Sequence, residues 1–333
     1  VVQFSYPVVV ADIGGTNARF ACVEKKGAPL SPVVKMLTTS QPGLEAAFRE
    51  AVKQGGWAQP KSLLAGAAGP VKGRTIKLSN AAWEMDGASL ARELGLEQGL
   101  LLNDFETLAL SLPALDDHIV TIGEKLEPEE GGTRVVVGPG TGLGVGALAE
   151  VEGRFLPLAS EGGHIGFPAE TEYEQLIWTQ LGYAYNPPEA ETLLAGPGLP
   201  AFHQAVGRAR TIWPKDLTTE EIIAAGVAKT DPLAEETLWR LLDYIARFCS
   251  DMALTFMATG GVYLAGGIPP RLREALNAED FRTMFERNES LSELLATIPT
   301  HLVTAKYPAL LGLAALAENP DRYMLNYRAR LWR

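Results

Sequence analysis

Two places in the chain force the backbone to bend tightly straight after a short apolar run. Val8 to Ala11 leads into Asp12-Ile13-Gly14-Gly15-Thr16-Asn17, and Arg19 to Glu24 resumes an apolar, strand-like stretch. Val135 to Val137 leads into Gly138-Pro139-Gly140-Thr141-Gly142-Leu143-Gly144, Val145 to Val151 continues, and Glu152-Gly153-Arg154 turns again. Glycine enters backbone conformations closed to other residues, so each segment reads as strand, tight turn, strand. The two match in plan rather than residue by residue. A plan used twice predicts two related α/β domains with a cleft between them.

The remaining segments fit the same class. Leu63 to Ala68 reads as a buried strand, Ala88 to Leu96 as a helix following Asp86, and Leu100 to Leu102 as a strand running into Asn103-Asp104-Phe105-Glu106, with helical composition from Thr107 to Leu112. Asp231-Pro232 opens a long amphipathic helix. Its apolar positions Leu238, Leu241, Leu242, Ile245, Phe248, Cys249 and Met252 recur at helical spacing, and the pattern runs up to Gly260-Gly261. Val262 to Ala265 is then a strand closed by Gly266-Gly267. Strands alternating with helices indicate an α/β fold.

Composition removes several function classes. The formal net charge of −11, without a Lys/Arg cluster, argues against a nucleic-acid binder. No apolar run is long enough to span a membrane and no export signal opens the sequence, so the expectation is a cytoplasmic protein. Cys22 and Cys249 sit in apolar contexts and read as core residues. His118, His164, His203 and His301 form no His-x-x-x-His pair and have no Cys-x-x-Cys companion, which argues against a zinc site.

The glycine turns admit two readings. Backbone amides in a turn without side-chain bulk can approach phosphate oxygens, with Asp12 placed to hold a metal; alternatively each is a plain hairpin turn. Neither has the spacing of a dinucleotide fingerprint or the Gly-Lys-Ser/Thr ending of a P-loop. Asn103-Asp104 at a strand end could supply a carboxylate that accepts a hydroxyl proton, while Asn103 with Glu106 also approximates a helix capping box. In Glu161-Gly162-Gly163-His164 two glycines let a carboxylate and an imidazole converge on adjacent sugar hydroxyls; a structural loop histidine is the rival.

Taken in order, Asp12 to Asn17, Asn80-Ala81-Ala82-Trp83, Leu102-Asn103-Asp104-Phe105, Gly138 to Gly144, Glu161-Gly162-Gly163-His164, Glu191 to Gly198 and Leu264-Ala265-Gly266-Gly267 resemble the bacterial glucokinase family across nearly the whole chain. The resemblance implies an actin-like (ribonuclease H-like) two-domain hexokinase fold with an interdomain cleft. It implies a small α/β domain of residues 1–114 plus 304–333, with Pro308 to Gly312 returning to it, and a large α/β domain of 115–303. The implied activity is transfer of the ATP γ-phosphate to the 6-hydroxyl of glucose, giving glucose 6-phosphate and ADP.

The same resemblance implies roles for residues. Asp104 would be the catalytic base; Asn80, Asn103, Glu161, His164 and Glu191, with Asp104, would hold the sugar. Gly14, Gly15, Thr16, Asn17, Gly140, Thr141 and Gly142 would cradle the ATP phosphates, Gly266 and Gly267 would line the nucleotide pocket, and Asp12 would sit by Mg2+. A homodimer is implied. One departure concerns the sugar loop: the family usually carries an acidic residue before the phenylalanine, where this chain has Gly166-Phe167. The cysteine-rich zinc motif of the related repressor and sugar-kinase family is also absent. Kinases for fructose, mannose or N-acetylglucosamine remain rival readings. A sugar sensor is a further one, disfavoured because the first strand begins at Val8 with no DNA-binding module before it.

Overall fold

The computed structural model describes residues 2–78, 81–184 and 186–333. The chain divides into two compact units. The first comprises Val1–Asp117, Gly146–Ala159 and Ala305–Arg333; the second comprises His118–Val145 and Ser160–Thr304. Residues 146–159, which the resemblance places within 115–303, cluster with the first unit by their contacts. Gly146 explains why: a Cβ there would stand 2.5 Å from the Phe105 carbonyl oxygen, so this strand lies against the first unit's backbone.

In the first unit, strands β1 (Val8–Ile13), β2 (Asn17–Val23), β3 (Val34–Leu37) and β4 (Ser62–Ala67) are followed by an antiparallel meander, β5 (Val71–Lys72), β6 (Thr75–Lys77) and β7 (Glu84–Asp86), and by β8 (Gln98–Asn103). The main sheet has the order β3-β2-β1-β4-β8, with β1, β4 and β8 parallel. Strand β4 is buried at every position, as a parallel strand covered on both faces must be. Helices α1 (Leu44–Gly55) and α2 (Gly87–Leu94) bring Leu44, Ala47, Phe48, Leu90 and Leu94 into one core with Val9, Ala11, Leu63 and Leu101. Helix α2 stops at Leu94 rather than Leu96, because Gly95 takes a left-handed φ of 66° and closes it. Helix α3 (Asp104–Ser111) and the helix Pro308–Glu318 pack on each other and on β4.

The second sheet has the order β12-β11-β10-β13-β14-β9, from β9 (Ile119–Thr121), β10 (Arg134–Pro139), β11 (Leu143–Val151), β12 (Arg154–Ser160), β13 (Gly261–Leu264) and β14 (Thr300–Val303). Here β10, β13 and β14 are parallel. The second unit's helices include α4 (Glu172–Gln180), α5 (Ala190–Leu194), α6 (Leu199–Ala209), α7 (Thr219–Val227) and α8 (Pro232–Phe256). Asp231 caps α8, accepting from the amides of Leu233 and Ala234, and Pro232 takes the first helical position. The helix ends earlier than Gly260-Gly261. Met257 adopts φ 47°, and the Ala258 amide returns to the Ala253 carbonyl at 2.8 Å, so a non-glycine residue performs the stop. Among the described residues no helix is long and apolar enough to cross a membrane, and both Cys22 and Cys249 are buried free thiols.

Candidate active site

In the first unit the candidate residues gather at the carboxyl ends of the parallel strands, where open α/β sheets bind ligands. Asp12 is in register with Gly66 of β4, and Gly66 with Leu102 of β8, so Asn103 and Asp104 follow at the same edge. Asp12 also lies directly across the β1–β2 hairpin from Arg19, whose Nη1 donates to Asp12 Oδ2 at 2.6 Å. Burial raises the Asp12 carboxyl above its ordinary value, and Arg19 pulls the other way. The intervening turn is pinned: the Gly14 amide donates to the Asn17 carbonyl, the Thr38 amide to the Thr16 carbonyl, and Thr38 Oγ1 to the Gly14 carbonyl. Carbonyl dipoles that would repel a phosphate are therefore engaged within the protein.

Asn103 and Asp104 satisfy both readings of their segment at once. Asn103 Oδ1 accepts from the amides of Phe105 and Glu106, while Glu106 Oε2 accepts from the Asn103 amide, forming a complete capping box. Asp104 is the first residue of α3, half-buried, with Oδ1 accepting from the Phe105 amide at 3.0 Å. What fixes α3 is a set of close backbone approaches. A Cβ on Gly66 would fall 2.4 Å from Thr107 Oγ1, and one on Gly312 would fall 2.7 Å from the Ser111 amide nitrogen. Together with Gly146, these glycines let the helix sit deeper than any side chain would allow.

The second unit carries the other glycine turns. The Gly140 amide donates to the Gly142 carbonyl at 2.7 Å, and the Gly196 amide to the Gly140 carbonyl at 2.8 Å. Thr219 Oγ1 donates to the Gly196 carbonyl, so α7 begins against the same cluster. Gly266 adopts φ 90° with no room for a Cβ beside Pro139, and Gly267 approaches Gly140 while facing open space on its own Cβ side. Gly140, Thr141, Gly142, Gly266 and Gly267 are thus brought together. Gly196 and Thr219 join them; the Gly-Pro-Gly run at 196–198 was the available signal for the first, and nothing local marks the second.

The sugar-loop candidates adjoin these turns. Gly163 is obligatory, because a Cβ would stand 1.9 Å from the Leu143 carbonyl oxygen. Glu161 and His164 face each other, Oε2 to Nε2, at 4.0 Å. Glu191 accepts the Leu143 amide at 2.8 Å, and a Cβ on Gly142 would be 2.6 Å from its Oε2, so this carboxylate also braces the β10–β11 turn. Behind the loop, Trp178 Nε1 donates to the Phe167 carbonyl and the Arg247 guanidinium lies 3.7 Å over the Phe167 ring. Buried Arg247 is itself held by Glu174 and the Pro168 carbonyl.

One acid here was not legible in the motifs: Glu189 Oε2 lies 2.9 Å from His164 Nδ1. That hydrogen bond, aided by the charges of Glu191, Glu189 and Glu161, raises the His164 imidazole above its usual value against desolvation. Asn80 lies outside the described residues.

The order of these segments along the chain is decisive: the glucokinase family model matches residues 9–320. The chain belongs to the glucokinase family. It is 38% identical over 333 residues to the glucokinase of Brucella suis biovar 1, covering 99% of this chain and 96% of that protein. Among solved structures, a glucokinase from an Antarctic psychrotroph superposes with a TM-score of 0.82 at 29% identity, covering 94% of this chain and 99% of that one. A ROK family glucokinase from Streptomyces griseus, solved with glucose and AMPPNP, gives 0.63 at 20% identity over 94% and 99% of the two chains, a likeness of fold. The glucokinase family's fold is thus this chain's fold.

Proposed function

We propose that this chain is an ATP-dependent glucose kinase, transferring the γ-phosphate to the sugar 6-hydroxyl. The observation that carries the reading is Asp104, held at the head of α3 on the strand-end edge it shares with Asp12. Phosphoryl transfer leaves little covalent work to the protein, so positioning and electrostatics dominate. Asp104 orients the hydroxyl and accepts its proton. Asn80, Asn103, Glu161, His164 and Glu191 hold the remaining hydroxyls. The turns Gly14-Gly15-Thr16-Asn17 and Gly140-Thr141-Gly142 receive the phosphates, and Gly266-Gly267 line the nucleotide pocket.

Asp12 would hold Mg2+. Among the described residues no group of three or more acidic, His or Cys side chains could hold a metal. Asp12 supplies one carboxylate at the strand end, with Oδ2 accepting from Arg19, and Mg2+ typically takes one or two carboxylates and completes its shell with water and substrate phosphates. When bound, Mg2+ neutralises phosphate charge. The proposal extends to a cytoplasmic homodimer in glycolysis, with functional domains 1–114 plus 304–333 and 115–303.

Phosphorylation by the purified protein with ATP and glucose, fructose, mannose or N-acetylglucosamine in parallel tests the reading. Glucose turnover that falls by about 10²–10⁴ in Asp104→Asn is expected. Turnover preferring another sugar would move the substrate, and sugar binding with no turnover on any would replace the kinase by a sensor.

A further inference from the structure

We propose that Glu189 is a positioning residue for sugar recognition: by holding His164 Nδ1 it fixes the imidazole ring and presents Nε2 to a sugar hydroxyl. The inference rests on the reading of His164 as a sugar-holding residue and adds the group that acts through it.

The geometry begins with the backbone. Residues 166 and 189 form an antiparallel bridge, flanked by the Phe167 amide donating to the Pro188 carbonyl at 2.8 Å and the Ala190 amide donating to the Ile165 carbonyl at 2.9 Å. These bonds lock the segment before α5 in register with the end of the His164 loop. At the bridge, Gly166 contributes no side chain, and Glu189 reaches His164 Nδ1 at 2.9 Å. Position 166 thus leaves room beside the ring, and a carboxylate arrives from the opposite strand of the bridge.

An imidazole has two distinct nitrogens, and the hydrogen bond made by one decides what the other offers. With Nδ1–H donating to Glu189, the neutral ring presents Nε2 as an acceptor. The protonated ring presents it as a donor. Among the described residues, the charged groups acting on the ring are acidic: Glu161 from its own loop, Glu189 from across the bridge and Glu191 from α5. These charges hold the ring protonated to higher pH than an isolated histidine, so the switch of Nε2 from donor to acceptor falls above the ordinary imidazole value. Glu189 therefore sets both the aim of His164 and the pH at which its role changes.

The test is steady-state kinetics between pH 5.5 and 9 on the intact enzyme and on Glu189→Gln, Glu189→Ala and His164→Ala. Glu189 is 57% exposed, so its replacement leaves the core untouched. For Glu189→Ala a rise of about five- to tenfold in KM for glucose is expected, with kcat and KM for ATP within about twofold. Glu189→Gln, whose amide oxygen still accepts from Nδ1, keeps KM near the parent value at low pH but moves the inflection of KM against pH downward. If both Glu189 variants keep the parent KM and inflection while His164→Ala raises KM for glucose, the proposal is overturned and the sugar-holding reading stands. If His164→Ala leaves KM for glucose unchanged, that reading falls and the proposal with it.

Discussion

Arg330 Nη1 lies 2.6 Å from Glu106 Oε1, and the other oxygen of the same carboxylate accepts the Asn103 amide. The segment bearing Arg330 is held in place because Trp332 and Gly99 exchange backbone hydrogen bonds in both directions, which lays it antiparallel to β8. Glu106 is only 3% exposed, and Arg330 supplies the side-chain partner of its Oε1. Arg330→Ala is expected to cost about 1–3 kcal/mol in urea unfolding, less than a fully buried pair because the guanidinium is partly solvated. Turnover should fall with KM for ATP unchanged, and Arg330→Lys should recover part of the loss. Unchanged stability and turnover would show that the pair does nothing for α3.

Gly312 offers a second handle on the same helix. A Cβ there meets the Ser111 amide nitrogen at 2.7 Å and the Thr107 carbonyl oxygen at 2.8 Å, and backbone atoms cannot step aside as a side chain can. Gly312→Ala should therefore destabilise by about 1–3 kcal/mol through overpacking and lower kcat as the head of α3 shifts. An alanine variant with parent stability and kcat would mean that the helix has room to move.

The pH dependence of stability has a specific contributor in Asp243. It sits half-buried among Trp239, Leu242, Asn277 and Phe281, and burial pushes its carboxyl up to about 6 despite Arg287 nearby. The folded chain thus holds this proton more tightly than the unfolded chain. The resulting stabilisation is complete below the ordinary carboxylate value and is lost as pH rises through about 6. Asp243→Asn should accordingly gain on the parent protein between pH 4.5 and pH 7.5 in paired denaturant titrations. A stability difference that does not change with pH would refute this assignment.

Thiol chemistry should be silent in the native protein. Burial pushes Cys22 up to about 11 and raises Cys249 as well, and the thiolate is the reactive form. Maleimide at pH 7.5 should leave both unmodified until denaturant is added, when both should react. Labelling of either in the folded state, read by intact mass, would place that thiol outside the core.

The paired glycine turns and the apolar strands feeding them were readable in the sequence because local physics fixes both. A strand buried on both faces must be apolar, and Gly163 or Gly266 stands where no Cβ fits. Asn103 showed its capping geometry because partners three residues apart meet within one helical turn. Glu189 and Arg330 were not readable. Each acts on a residue distant in sequence, 25 positions away for Glu189 and 224 for Arg330, through a register that only the folded backbone defines. The meander Val71–Asp86 was missed for a different reason: its strands are two or three residues long and half solvated, so no period emerges.

Trp178 is 1% exposed, stands edge-on to Tyr244 at 5.5 Å, and gives its indole proton to the Phe167 carbonyl just after the His164 loop. The loop is thereby wired to an intrinsic fluorophore. Trp213 is 82% exposed and Trp239 47%, so iodide can darken both, while Trp83 and Trp332 are buried like Trp178 and keep emitting with it. Run beside a Trp178→Phe variant, a glucose titration under iodide would isolate the emission change that comes from this loop, with no nucleotide, coupling enzyme or attached dye.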